Sequence, residues 1–149
     1  MFAAKMRQAA LAVAVALAFT GPALAAGEVH QHAGGAGELT LSLNQGQKWT
    51  TDAPLRQGME NIRAALGSGM KYQALASKVN AEVAGIVQNC KLEPEADAQL
   101  HLVIADIMAG VEALEGKAQG ETRRAGAEKI ARALDTYGEH FDHAGWKNL

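Results

Sequence analysis

The sequence predicts an all-α protein: an antiparallel, up-down-up-down four-helix bundle. From residue 52 onward, apolar residues recur at helical spacing in four segments, and each segment is bounded by residues that start or end helices. The connections between the segments are only a few residues long, and short connections make successive helices antiparallel neighbours. Two helical hairpins exchanged within a dimer are the alternative that these observations leave open.

Residues 1–25 have the order of a secretory signal peptide. A basic start with Lys5 and Arg7 precedes a short apolar run, residues 9–19, and an Ala-Leu-Ala exit that ends at Ala25. A helix needs about twenty apolar residues to cross a bilayer, so this run predicts cleavage after Ala25 and not a membrane span. No other segment is apolar enough to span. We therefore expect a periplasmic mature chain.

Composition limits what the mature chain can be. Removing the leader from 149 residues leaves 124, enough for one domain with its own core. With Lys5 and Arg7 gone, 12 of the 14 Lys and Arg residues remain against 16 Asp and Glu, and this acidic balance speaks against a nucleic-acid partner. The one cysteine, Cys90, excludes an internal disulfide and covalently attached haem. In an oxidising compartment such a thiol is buried, paired between chains, or bound to a ligand.

Two segments precede the bundle. Residues 26–37 hold four glycines and one large apolar residue, too little to offset the entropy of ordering, so they predict a flexible tail. Residues 38–51 alternate Leu39, Leu41 and Leu43 with polar residues. This period-two pattern predicts a short extended segment that packs across one end of the domain.

Boundary signals divide the remainder, residues 52–149, into four helices. Thr51 or Asp52 caps the first helix, Gly67 ends it, and Pro94 sits in the first turn of the third. Three of the helices are predicted to be about 22 residues, or about 33 Å, long. The predicted helices span residues 52–66, 69–90, 94–115 and 119–143.

No motif in the sequence predicts catalysis. The chain has no nucleophile elbow, no phosphate-binding loop, no His-Glu-x-x-His pair and no Glu-x-x-His pairing for a di-iron site. An isolated Asp, Glu or Ser in an acidic helical protein is usually a solvated surface residue. We therefore expect a protein that is not an enzyme.

Four residues of metal-ligating type fall near four helix ends that an up-down-up-down bundle brings to one side: Met59, Cys90, His101 and His140. On a helical wheel Met59 and Cys90 point inward, whereas the two histidines lie at the boundary between core and surface. Thioether and thiolate ligands combined with imidazole select copper(I). The sequence therefore predicts a transition-metal site, with copper(I) favoured, at this end of the bundle.

Two histidines in the tail, His30 and His32, add a weaker metal signal, because alternate histidines in a flexible segment capture copper, nickel or zinc. We interpret them as a loose capture arm. The structural alternative is that Met59 fills space in the core and Cys90 acts as a small buried hydrophobe. His143, three residues after the last predicted ligand, is either its partner or a solvated charge at the helix end.

Met59 early in the first helix and the run YGEH ending at His140 near the end of the fourth resemble the cytochrome b562 family. The resemblance covers the bundle in architecture and implies a non-covalent b-type haem electron carrier with Met59 and His140 as axial ligands. The segment before the bundle, Cys90 and His101 depart from that pattern and favour a bare ion. Residues 48–59 also look like a stretch found in a group of uncharacterised exported proteobacterial proteins, which supports a periplasmic location.

A third hypothesis is a cofactor-free periplasmic adaptor or chaperone. The leucines of residues 39–43 would expose an apolar strip if they did not pack on the bundle, and such a strip tends to mark a partner site. The partner would be another periplasmic protein or a second copy of this chain. Protection of these leucines in the isolated monomer would count against this hypothesis.

Overall fold

The computed structural model describes residues 40–149, so the predicted signal peptide and the tail histidines lie outside the described residues. Within this range the protein is all-α, and its only β-type pairings are isolated bridges. The four helices confirm the predicted fold class, a four-helix bundle: α1 (Ala53–Gly67), α2 (Tyr72–Asn89), α3 (Pro94–Glu115) and α4 (Arg123–His140).

Two helices begin later than the sequence pattern indicates. Ser68 does not start the second helix, because its backbone N–H and hydroxyl both donate to the carbonyl oxygen of Ala65 at the end of α1. Gly69 then adopts a positive φ of 72°, which breaks the helical path, so α2 begins at Tyr72. Local hydrogen bonding at the end of α1 thus uses the residue that was expected to cap α2.

The fourth helix is shorter than predicted at both ends. Gly116 and Gly120 both have positive φ, and the side chain of Thr122 accepts a hydrogen bond from the backbone N–H of Ala125, so α4 begins at Arg123. The helix ends at His140. The sequence predicted about 22 residues for three of the helices, and only α3 has that length. The first helix, α1, has 15 residues, and α2 and α4 have 18 each.

The segment before α1 lies across one end of the bundle. Trp49 donates its backbone N–H to the carbonyl oxygen of His140 (2.8 Å) and accepts from the N–H of Asp142 (2.8 Å). The N–H of Ser42 donates to the side chain of Gln99 in α3 (2.7 Å). These bonds bring the start of α1, the first turns of α3 and the end of α4 to the same end of the bundle.

Asp52 ties the remaining helix end to this group. One carboxylate oxygen accepts from the backbone N–H of Leu55 (2.9 Å) and so caps α1, while the other accepts from the N–H of Lys91 (2.6 Å), just after α2. A single side chain therefore satisfies two backbone donors on two different segments.

We expect Asp52→Ala to lower the free energy of unfolding by about 2 kcal/mol, at the upper end of the range for cap removal, because two donors lose their acceptor. Thr122→Ala removes a one-bond cap on α4 and should cost about 1 kcal/mol. Urea unfolding of both variants gives the comparison. Equal losses would contradict a bridging role for Asp52.

The core runs through all four helices, and the helices share it unequally. Contact is most extensive between α3 and α4 and sparse between α1 and α4. No helix within residues 40–149 combines the length and the apolar character needed to cross a membrane. Fully buried side chains that represent the four helices in turn are Leu55, Val79, Ile107 and Leu134.

Candidate functional site at one end of the bundle

Met59 lies in the hydrophobic core. Its side chain is 0% exposed and belongs to the same buried cluster as Leu55 and Ile62, the inward direction that the helical wheel predicts. A thioether in that position contributes apolar packing to the bundle interior.

Cys90 follows the last residue of α2 and is half-buried. Its backbone N–H donates to the carbonyl oxygen of Ile86 (2.8 Å), and its side chain packs against the edge of the core. Burial raises the pKa of the Cys90 thiol, and the negative charges of Asp52 and Asp97 raise it further. The thiol is therefore protonated near neutral pH, and a bound cation would be needed to favour the thiolate.

His101 and His140 have the same local geometry. In each, the Nδ1 atom lies within hydrogen-bond distance of the carbonyl oxygen four residues earlier, at 2.8 Å from Asp97 and 2.9 Å from Thr136. A carbonyl oxygen only accepts, so Nδ1 donates to it, and in the neutral ring the lone pair is then on Nε2. Histidines that bind metals are commonly oriented in this way.

The structure brings the four helix ends together without joining the four side chains. Met59 is sealed in the core, whereas the side chain of His101 is 59% exposed beside Asp97. Within residues 40–149, no three His, Cys, Asp or Glu side chains stand close enough to hold one metal ion. Cys90, His101 and His140 therefore do not form such a group in this packing, and His30 and His32 lie outside the described residues.

A haem between Met59 and His140 would need a slot for a planar macrocycle. Two large neighbours near the end of α4, Tyr137 and Phe141, are at most 1% exposed and pack in the same cluster as Met59. Four surface cavities of about 240 to 360 Å³ are lined by other residues. The packing at this end does not favour the haem alternative, which stays a prediction.

The described residues contain a second polar cluster that the sequence did not predict. The hydroxyl of Tyr137 lies 3.0 Å from Nδ1 of His143, and Nε2 of the same ring lies 3.6 Å from a carboxylate oxygen of Glu60 in α1. The side chain of His143 is only 7% exposed. The sequence pattern placed His143 on the fourth helix, with a solvated charge as one interpretation. In the structure α4 ends before His143, and its side chain is shielded from solvent.

Residues 141–149, which we call the C-terminal strap, turn back along α4. The indole of Trp146 packs edge-on against the Tyr137 ring, with centroids 5.0 Å apart, in space that the absent side chain of Gly138 leaves open. The backbone N–H of Leu149 donates to the carboxylate of Asp135 (2.8 Å). The strap therefore contacts both α1, through Glu60 and Arg63, and α4, through Tyr137 and Asp135.

Two polar atoms at the contact between the strap and α1 are buried without a partner among the described residues, which lowers the free energy of unfolding. The guanidinium carbon of Arg63 lies 5.8 Å from the centre of the Trp146 ring. The Nε of Arg63 and the indole nitrogen are both buried and have no hydrogen-bond partner among residues 40–149. Burial raises the pKa of Tyr137 and lowers the pKa of His143. For His143, the negative charge of Glu60 opposes the effect of burial, and the positive charge of Arg56 adds to it.

One sequence signal pointed to the strap. Gly145, which lies between His143 and Trp146, is a turn-forming residue, and in the structure it has a positive φ of 82°. The partners Glu60 and Tyr137 come from two different helices, so no single-helix pattern predicts their meeting.

Comparison of the chain with protein-family models, with curated proteins and with solved structures finds no match. The resemblance to cytochrome b562 therefore stays a prediction.

Proposed function

We propose that this protein is a non-enzymatic, periplasmic binding protein for a transition-metal ion, with copper(I) favoured. The observation that supports this proposal most is the orientation of His140. Its Nδ1 donates to the carbonyl oxygen of Thr136, which leaves the lone pair of the neutral ring on Nε2, and the ring is half-buried where the helix ends meet.

The donors in this proposal are His140, His101 and Cys90 from the bundle, together with His30 and His32 as the capture arm. Within residues 40–149 the three bundle donors are not assembled, so binding of the ion would have to bring them together. The loss of conformational entropy on ordering these side chains would reduce the affinity. Cys90 is the one thiol and the donor that favours copper(I) over a harder ion. Met59 is not among the proposed donors, because its side chain is fully buried in the core.

A ligand that binds only the folded protein stabilises it by about 2.7 kcal/mol at a hundred times its dissociation constant. We therefore expect copper(I) to raise the thermal midpoint of the mature protein, with zinc and copper(II) giving smaller shifts. His140→Ala and Cys90→Ser should each reduce the shift and the bound stoichiometry. The measurement is a thermal scan with metal analysis of the same samples.

Met70→Leu is the matched control, because Met70 is an exposed sulfur residue in the connection between α1 and α2, far from the proposed donors. Its metal binding should equal that of the wild type. The proposal fails if no ion shifts the wild-type midpoint, or if both donor variants bind as the wild type does. A Soret band after addition of haemin would favour the haem alternative instead.

The adaptor hypothesis stays a prediction, and the described residues include two of the three leucines on which it depends, Leu41 and Leu43. Leu41 packs against the core, so within the described residues only Leu43, 42% exposed, projects from the segment before α1. A single exposed leucine is common on soluble proteins and forms no apolar strip.

A further inference from the structure

We propose that the C-terminal strap is a pH-sensitive latch: protonation of His143 releases the strap from α1 and α4, and deprotonation docks it again. The inference is independent of metal binding. It concerns the surface of α1 and α4 that the strap covers and His143, whose side chain is 7% exposed and contacts both helices.

Both ring nitrogens of His143 already have a neighbour. In the neutral ring, Nδ1 accepts from the hydroxyl of Tyr137 (3.0 Å) and the Nε2 proton faces Glu60 (3.6 Å). A protonated ring carries a hydrogen on both nitrogens and accepts from neither. The Tyr137 hydroxyl, which is buried, would then have to turn its proton away from its only described partner.

The charges around His143 decide which form of the ring the docked strap prefers. Glu60 attracts a protonated ring, but its side chain is 39% exposed and solvent screens the attraction. Burial of the ring against Tyr137 and Trp146 disfavours the charge, and so does Arg56. The charged or titratable groups of the surrounding elements are Arg56, Glu60 and Arg63 on α1, Tyr137 on α4, Asp142 on the strap, and Lys48, which donates to the Gly138 carbonyl oxygen.

The direction of the pH effect follows from this balance. Burial lowers the pKa of His143 in the docked strap below its value in a free strap, so docking is strongest above the ordinary histidine value of about 6.5. As the pH falls below that value, the free strap takes up the proton first and becomes favoured. The start of the strap stays attached, because Asp142 is held by the backbone of Trp49 and by the hydroxyl of Thr51.

Release would uncover the ring of Tyr137 and the groove beside Gly138, and it would leave the rest of the core closed. NMR of the full mature chain tests this, with the indole N–H of Trp146 and the amide of Leu149 followed from pH 8 to pH 5. In the wild type we expect both signals to move to exposed positions in one transition centred below pH 6.5, while signals from α3 stay unchanged.

Variants separate the latch from general acid unfolding. Tyr137→Phe removes the hydroxyl that donates to the neutral ring, so docking of the neutral form weakens and the midpoint should move to higher pH. Glu60→Gln removes a charge that helps to hold the protonated ring in the docked strap, so release should become easier and the midpoint should also move to higher pH. Glu112→Gln is the matched control for the Glu60 variant, because Glu112 is an exposed carboxylate in the last turn of α3, and its midpoint should equal that of the wild type.

His143→Phe keeps an aromatic ring that does not titrate, and the transition should disappear. If the phenylalanine variant does not dock at any pH, the upward shifts of the Tyr137 and Glu60 variants still test the proposal. Absence of a transition in the wild type, its persistence in a docked His143→Phe variant, or a shift of either the Tyr137 or the Glu60 variant to lower pH would overturn the latch.

Discussion

Replacing Gly126 with alanine is expected to lower the free energy of unfolding by about 3 kcal/mol, although alanine is the better helix former. A Cβ at this position would lie 2.6 Å from the carbonyl oxygen of Gly110 and 2.8 Å from the backbone nitrogen of Leu114. Both atoms belong to the backbone of α3, so no side-chain rotation relieves the clash. The most extensive helix contact in the bundle, between α3 and α4, would have to widen.

Gly85→Ala is the matched control for this substitution. Gly85 also lies inside a helix, but no atom lies within 4 Å of the position that its Cβ would take. Alanine there should therefore raise the free energy of unfolding by about 0.5 to 1 kcal/mol through helix propensity alone. Thermal or urea unfolding measures both variants. A Gly126→Ala protein as stable as the wild type would contradict the close approach of α3 and α4.

Helix bounds were predictable where a boundary residue has a single local role. Pro94 starts α3 and Gly116, in the left-handed conformation, ends it, so the predicted span 94–115 agrees with the structure. Ser68 has two roles open to it, as the cap of α2 or as the end of α1, and it takes the second. The sequence pattern contains both options, and the local hydrogen bonds decide between them.

The sequence also predicted which side chains are buried better than it predicted which side chains of different helices meet. Apolar periodicity places Met59 inside the bundle correctly, because burial depends on one helix and its own stripe. Whether Cys90 and His140 meet depends on the relative rotation of two helices that are not neighbours along the chain. The contact between His143 and Glu60 depends in addition on the turn after α4. The sequence pattern predicted helix up to residue 143, so it did not predict that turn.

Substitutions of Met59 distinguish most clearly between its role in the core and a role as a metal ligand. Met59→Ala should lower the free energy of unfolding by about 2 to 5 kcal/mol, because the side chain is fully buried and the cavity left behind cannot fill with neighbours. Met59→Leu conserves volume and apolar character, and it should cost less than about 1.5 kcal/mol. Chemical denaturation measures both variants.

Leucine has no sulfur, so copper(I) binding by the Met59→Leu protein completes the test. We expect its bound stoichiometry and thermal shift to equal those of the wild type, because the donors of the proposed site lie at the helix ends and the thioether lies in the core. A stable Met59→Leu protein that had lost copper(I) would instead place the sulfur in the metal's coordination shell. In that case the core would have to rearrange on binding, since Met59 is closed off from solvent in the structure.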